Sequence, residues 1–211
     1  MLGDHHTPDL RGAADEVQRT RIAVNAGDGV FIAGAALTLL LFSLRPDVPQ
    51  RILGWGVSVI FLTVIPALSL LFYIPRRNEP WASTKKRQRV MSFVFMAVSY
   101  PIGFVLLKIV QAPPIFEAMM LTYVIVVLGL ILVNLFFKAS GHAAGVAGPV
   151  SAMIYLYGLI ATPLIALIPL TMWARVRAKG HTLSQTIIGA LLSAAITVAV
   201  LALYGFRPGQ F

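Results

Sequence analysis

Residues 143–173 form a run of 31 residues with almost no polar punctuation. Nothing else in the chain limits its fold as strongly. As one α-helix the run would rise about 46 Å, well beyond the ~30 Å hydrocarbon core of a bilayer. It must bend back, and Thr162-Pro163 is the expected break, because proline disfavours helix in the residue before it. The expectation is a hairpin of two short spans, about 143–161 and 163–173. With one long helix His142 and His181 would lie on opposite membrane faces. With a hairpin they return to the same face.

The rest of the chain is of the same kind. Only 12% of it is charged, against about 25% in soluble domains. Further runs at about 28–44, 52–74, 90–110, 115–137 and 183–204 approach the roughly 20 apolar residues needed to cross a bilayer. The expected fold class is all-α, a polytopic transmembrane helical bundle of six to seven spans. One membrane domain covers 28–211, preceded by a polar tail and a surface N-terminal helix within 1–27. That helix, about 13–24, has its acids first and Arg19 and Arg21 last, which suits the helix dipole. The tail before it carries His5 and His6 and is read as mobile rather than as a metal site. Acidic and basic groups mix over the first 20 residues, so no cleavable signal peptide is expected.

Local signals refine the spans. Asp28 can cap the first helix, and 45–49 and 111–114 read as turns. Residues 75–81 end the second span, with Trp81 at headgroup level. Pro66 and Pro101 inside spans are tolerated where neighbouring helices serve the freed carbonyls. Lys108 and Glu117 flank the 111–114 turn and are expected to pair at the interface. Asn134 is expected to donate a hydrogen bond between helices.

The chain has no cysteine, which excludes disulfides and thiolate metal sites. Its net charge is +9. In a membrane protein that charge marks loops facing anionic lipid or an anionic headgroup site, not nucleic acid. Three polar loops, 76–89, 138–142 and 175–182, share one face with the tail and hold 10 cations, with 3 more in the tail. The other face has 4: Arg45, Arg51, Lys108 and Arg207. Even with about five cations assigned to a phosphate site, the excess places the loop face in the cytoplasm. The expected location is the plasma membrane of a prokaryote, with a cytoplasmic active site.

No Asp or Glu occurs after Glu117. The C-terminal half therefore offers two imidazoles, His142 and His181, several cations and no carboxylate. That inventory suits phosphate chemistry by a histidine nucleophile, with no metal or other cofactor to hold. Phosphoryl transfer needs its equatorial oxygens neutralised and its nucleophile held in line. Arg175 can do the first with planar paired donors. The helix starting near His142 adds free amides and a positive dipole end. Gly141 and Gly180 would let backbone come close to a phosphate. The two histidines need opposite protonation states, which different neighbours can set.

Ser140-Gly141-His142 resembles the second motif of the type 2 phosphatidic acid phosphatase superfamily, usually Pro-Ser-Gly-His, with Ala139 in the proline's place. Arg175, five residues, His181, three residues and Gln185 resemble the third motif, usually Arg-x5-His-x3-Asp. The resemblance covers roughly 75–205. It implies that His181 is the nucleophile that forms a phosphohistidine. It also implies that His142 protonates the leaving oxygen and then activates water. Arg175, Ser140 and the Gly141 amide would bind the phosphoryl oxygens. The first motif, Lys-x6-Arg-Pro, has no copy here. Its place is taken by the basic loop 83–89, so Lys85, Lys86 and Arg89 are candidates, in a loop that also serves as a positive-inside anchor. Gln185 replaces the aspartate that orients the nucleophile. One turn beyond His181, its amide oxygen can still accept from the imidazole, but it cannot stabilise an imidazolium by charge.

The implied function is a metal-independent membrane phosphatase acting on a lipid phosphate or polyprenyl (di)phosphate. Its partners would be the lipid bilayer and that substrate, with no nucleic acid, and a homo-oligomer is compatible with this set. The alternative is a non-catalytic lipid-binding scaffold or transporter. Transporters usually carry ionisable residues within spans, and the span interiors here have none. Metal-dependent phosphatases need clustered carboxylates to hold Mg²⁺, and the sequence has no such cluster.

Overall fold

The computed structural model describes residues 31–45, 48–69 and 81–211, and for residues 81–86, 88 and 89 the backbone alone. The elements are α1 (Phe31–Ser43), α2 (Arg51–Leu68), α3 (Trp81–Ile109), α4 (Pro114–Phe136), α5 (Gly141–Tyr157), α6 (Leu167–Arg177) and α7 (Leu183–Leu203). A 3₁₀ stretch, Gly158–Ala166, leads into α6. No strand occurs among the described residues. Five helical stretches are long and apolar enough to cross a membrane, and α1 is a shorter apolar helix beside them. The chain is an all-α integral membrane protein, because in lipid a helix satisfies its backbone internally.

The surface is apolar where a soluble protein's would be polar. On α3, Val94, Val98, Ile102, Val105 and Ile109 recur at helical spacing and are all exposed. That stripe faces lipid, while Leu107 and Tyr100 turn inward. The most enclosed helices are α4, with Phe116, Met119, Met120 and Val127 buried, and α5, with Val146, Ala147, Val150 and Ala152 buried. Helices α5 and α7 cross closely through small residues. A Cβ on Gly148 would lie 2.7 Å from the Ser193 hydroxyl. Without a hydrophobic drive between helices in lipid, such close contact is a main source of association.

The long apolar run does fold back, but at a different place from the one expected. The turn is at Gly158, with φ 62° and ψ −136°. Ala143 and Ala147 on the outgoing leg cluster with Ile168 and Met172 on the return leg, and these positions lie symmetrically about 157–158. Glycine takes such dihedrals without a Cβ penalty. Thr162-Pro163 lies inside the 3₁₀ stretch instead. There the Thr162 hydroxyl donates to the Leu159 carbonyl. The last carbonyls of α5 accept from the C-terminal tail: Gly209 N–H donates to Tyr155 (2.9 Å) and Phe211 N–H to Leu156 (3.0 Å).

A second difference concerns the basic segment. Residues 83–89 are not a loop; they are the first turns of α3, which runs unbroken from Trp81. Lys, Arg and Gln are good helix formers, and no Gly or Pro interrupts them. Pro101 sits inside α3 as expected. In α2 a π-helical turn, Ile60–Val64, precedes Pro66 and relieves the ring's clash with the preceding turn. The expected tail, the surface helix of 1–27, Asp28 and the turn at 75–80 lie outside the described residues.

The helix ends sort into two faces. At one, Lys108 pairs with Glu117 as expected and lies 5.6 Å from the Tyr204 ring centre. Ser43 bonds Tyr157 at the same end. The other face gathers the starts of α3, α5 and α7 and the ends of α4 and α6.

Candidate active site

Ser140 caps α5. Its backbone is extended (φ −87°, ψ 107°) and its hydroxyl accepts from the Ala143 amide at 3.3 Å. This satisfies one of the donors that a helix start leaves without an internal partner. Ser140 is fully buried, and His142, second residue of the helix, is half-buried. A Cβ on Gly141 would find its nearest neighbour, the Phe93 ring, only at 4.0 Å. The same residue packs against the small cluster that holds Ala139 and Ala144, so α3 backs the start of α5.

Helix α6 ends in a Schellman motif. Gly180 N–H donates to the Arg175 carbonyl (3.2 Å) and Lys179 N–H to Val176 (2.9 Å). The left-handed residue is Lys179, with φ 54°. Gly180, expected to supply backbone freedom, does not carry the positive φ. Arg175 is buried at 8% exposure. Arg177 instead stacks over the Trp173 ring at 5.4 Å, which anchors the helix end at the interface.

Thr182 caps α7, and Gln185 completes a capping box. The Gln185 Oε1 accepts from the Thr182 amide at 3.1 Å and lies 3.2 Å from Nδ1 of His181. A backbone amide only donates, so the atom facing it is the oxygen. The imidazole nitrogen beside that oxygen must then be the donor. In the neutral imidazole this places the proton on Nδ1 and leaves the lone pair on Nε2.

Direct bonds join the two motif segments. Ser140 N–H donates to the Gln185 carbonyl at 3.0 Å. Lys138 Nζ donates to the Gly180 carbonyl at 3.0 Å. A Cβ at Gly189 would sit 2.4 Å from the Ser140 carbonyl oxygen, so α7 meets Ser140 at the closest approach that only glycine allows. The structure thus brings Ser140, Gly141, His142, Arg175, His181 and Gln185 to one end of the bundle. The backbones of Lys85, Lys86 and Arg89 lie on the first turns of α3, and their side chains fall outside what the structure describes. Among the described residues no three His, Cys, Asp or Glu side chains group as metal ligands do.

Sequence reading missed Lys138 and Gly189 as parts of this construction. Gly189 had a signal: it follows Gln185 by four, on one helical face, in a span with no turn to explain a glycine. Asn134 was misplaced, since its amide donates to Leu130 of its own helix at 2.7 Å. Comparisons with protein-family models, curated proteins and solved structures find no match to this chain.

Proposed function

We propose that this membrane protein is a phosphatase that hydrolyses a lipid phosphate or polyprenyl (di)phosphate through a phosphohistidine on His181. The observation that carries the reading is the Gln185 oxygen held between the Thr182 amide and His181 Nδ1. A neutral histidine kept as this tautomer presents an unprotonated Nε2, which is the form a phosphorus nucleophile requires.

In the first step Nε2 of His181 attacks phosphorus, and the bond from phosphorus to the leaving oxygen breaks. His142 gives that oxygen its proton. In the second step water attacks the phosphohistidine and passes its proton to the now neutral His142. The N–P bond breaks and inorganic phosphate leaves. Arg175, Ser140 and the Gly141 amide hold the phosphoryl oxygens, with the positive end of α5 behind them. Lys85, Lys86 and Arg89 are proposed to complete the cradle, because helix periodicity keeps positions 86 and 89 in register with Phe93 on α3. The proposed setting is a prokaryotic plasma membrane with the site on its cytoplasmic side.

A second reading has its own support. Gln185 also completes the α7 capping box, so it could serve folding alone in a non-catalytic lipid-binding scaffold. One experiment separates the two. The purified chain in detergent with EDTA is given a radiolabelled lipid phosphate, then quenched in alkali. Phosphate release and alkali-stable covalent label, both lost in His181→Ala, are expected. His142→Ala should slow turnover by about 10²–10⁴-fold. Equal turnover in the wild type and both variants, or a strict Mg²⁺ requirement, overturns the phosphatase reading.

A further inference from the structure

We propose that Lys179 and Lys138 form a second anion subsite beside His181, which takes the inner phosphate of a lipid diphosphate and sets a preference for diphosphates over monophosphates. This deepens the phosphatase reading and rests on it for turnover, though not for binding.

The first observation is backbone strain. Position 179 is the left-handed residue of the α6 Schellman motif, where glycine is the usual occupant. The chain places lysine there at φ 54°, although Gly180 follows at once. A left-handed non-glycine residue costs about 1 kcal/mol, and exchanging the order of the two residues would remove the cost. A side chain at 179 therefore has a use that offsets it.

The second observation is placement. Lys179 is exposed and lies two residues before His181. Lys138, from the other motif segment, reaches the Gly180 carbonyl at 3.0 Å, the peptide between Lys179 and His181. The Lys138 ammonium thus reaches the backbone next to Lys179, from the other motif segment.

The third observation is charge. The sequence has no carboxylate after Glu117, and Glu117 is occupied by Lys108 at the opposite face. Among the described residues no acid pairs with Lys138 or Lys179. The neighbouring Arg177 is turned toward Trp173. Lys138 and Lys179 are both exposed, and an anion that reaches both is attracted by each. Complementing the α6 dipole does not explain the pair, since Arg175 and Arg177 already occupy that last turn and Lys138 belongs to another segment.

With the outer phosphate held at Arg175 and facing His181, the inner phosphate is the leaving group. Lys138 and Lys179 would neutralise the charge it gains when the bridging P–O bond breaks, and His142 protonates its bridging oxygen.

The test uses the full chain in detergent with EDTA, titrated with inorganic phosphate and inorganic pyrophosphate. The wild type should bind pyrophosphate at least about tenfold more tightly. Lys179→Asn, which tolerates the left-handed backbone, and Lys138→Gln should bring the ratio toward one, and Lys179→Arg should restore it. With farnesyl phosphate and farnesyl diphosphate, Lys179→Asn should raise the diphosphate KM about tenfold more than the monophosphate KM. Lys179→Gly should melt no lower than wild type while losing the same binding ratio. A wild-type ratio near one, or one unchanged in Lys179→Asn, overturns the subsite. A wild type that binds pyrophosphate preferentially but turns over neither lipid leaves the subsite standing and removes the phosphatase reading.

Discussion

Replacing Gly189 by alanine tests how the two motif segments are held together. The added Cβ would stand 2.4 Å from the Ser140 carbonyl oxygen, about 1 Å inside ordinary contact. That oxygen is backbone and already accepts the first α5 bond, from Ala144 at 3.1 Å, so it cannot rotate away. Helix α7 and Ser140 must separate by roughly 1 Å, which lengthens the 3.0 Å Ser140–Gln185 bond beyond useful range. Overpacking costs about 1–3 kcal/mol, and the lost hydrogen bond about 1 kcal/mol. The gain in helix propensity from glycine to alanine returns about 1 kcal/mol. The net is a destabilisation of about 1–3 kcal/mol, seen as a fall of several degrees in thermal melting by tryptophan fluorescence in detergent. Phosphate release should fall about 10²-fold, the effect of a 1 Å misplacement between reacting groups. Two other glycines calibrate the result. Gly148→Ala meets the Ser193 hydroxyl at 2.7 Å, a group that can turn, and should lose less. Gly56→Ala meets nothing within 4 Å and should melt at or above wild type. If Gly189→Ala melts like Gly56→Ala and keeps full turnover, the close approach does not hold the site.

Three further outcomes are expected. Gln185→Glu preserves the capping box and should keep activity near neutral pH, as should Gln185→Asp. Gln185→Leu removes the acceptor from both His181 and Thr182 and should lose turnover together with about 1 kcal/mol of stability, measured on the same preparation; full activity in Gln185→Leu would show that His181 needs no orienting partner. Lys108→Met leaves the buried Glu117 without its ion pair and should lower the melting temperature, whereas the double change with Glu117→Gln should recover most of the loss; additive losses would mean the pair is not coupled. In this cysteine-free chain, single cysteines at Lys138 and Lys179 should label from the same side of sealed vesicles, and one at Arg207 from the other; labelling of positions 138 and 179 from opposite sides would contradict the hairpin.

The bundle class followed from composition alone. Apolar runs of membrane length have one way to satisfy their backbone in lipid, so α4 and α7 begin and end within a residue of where the runs do. The need for a hairpin was also legible, because 31 apolar residues exceed the bilayer. Its turning point was not. Proline was the stronger local signal, yet Pro163 sits within a 3₁₀ stretch, and the C-terminal tail closed over a turn at Gly158. Likewise, charge density marked 83–89 as polar without saying that it continues the α3 helix. Motif spacing put Gln185 one helical turn from His181; the contact exists at 3.2 Å, but it comes through the capping box, because His181 precedes the extended cap Thr182. What only tertiary structure decided is how two segments some forty residues apart meet. The bonds from Ser140 to Gln185 and from Lys138 to Gly180, and the place for Gly189, depend on the crossing of α5 and α7. Packing of small side chains sets that crossing, and no local pattern along the chain encodes it.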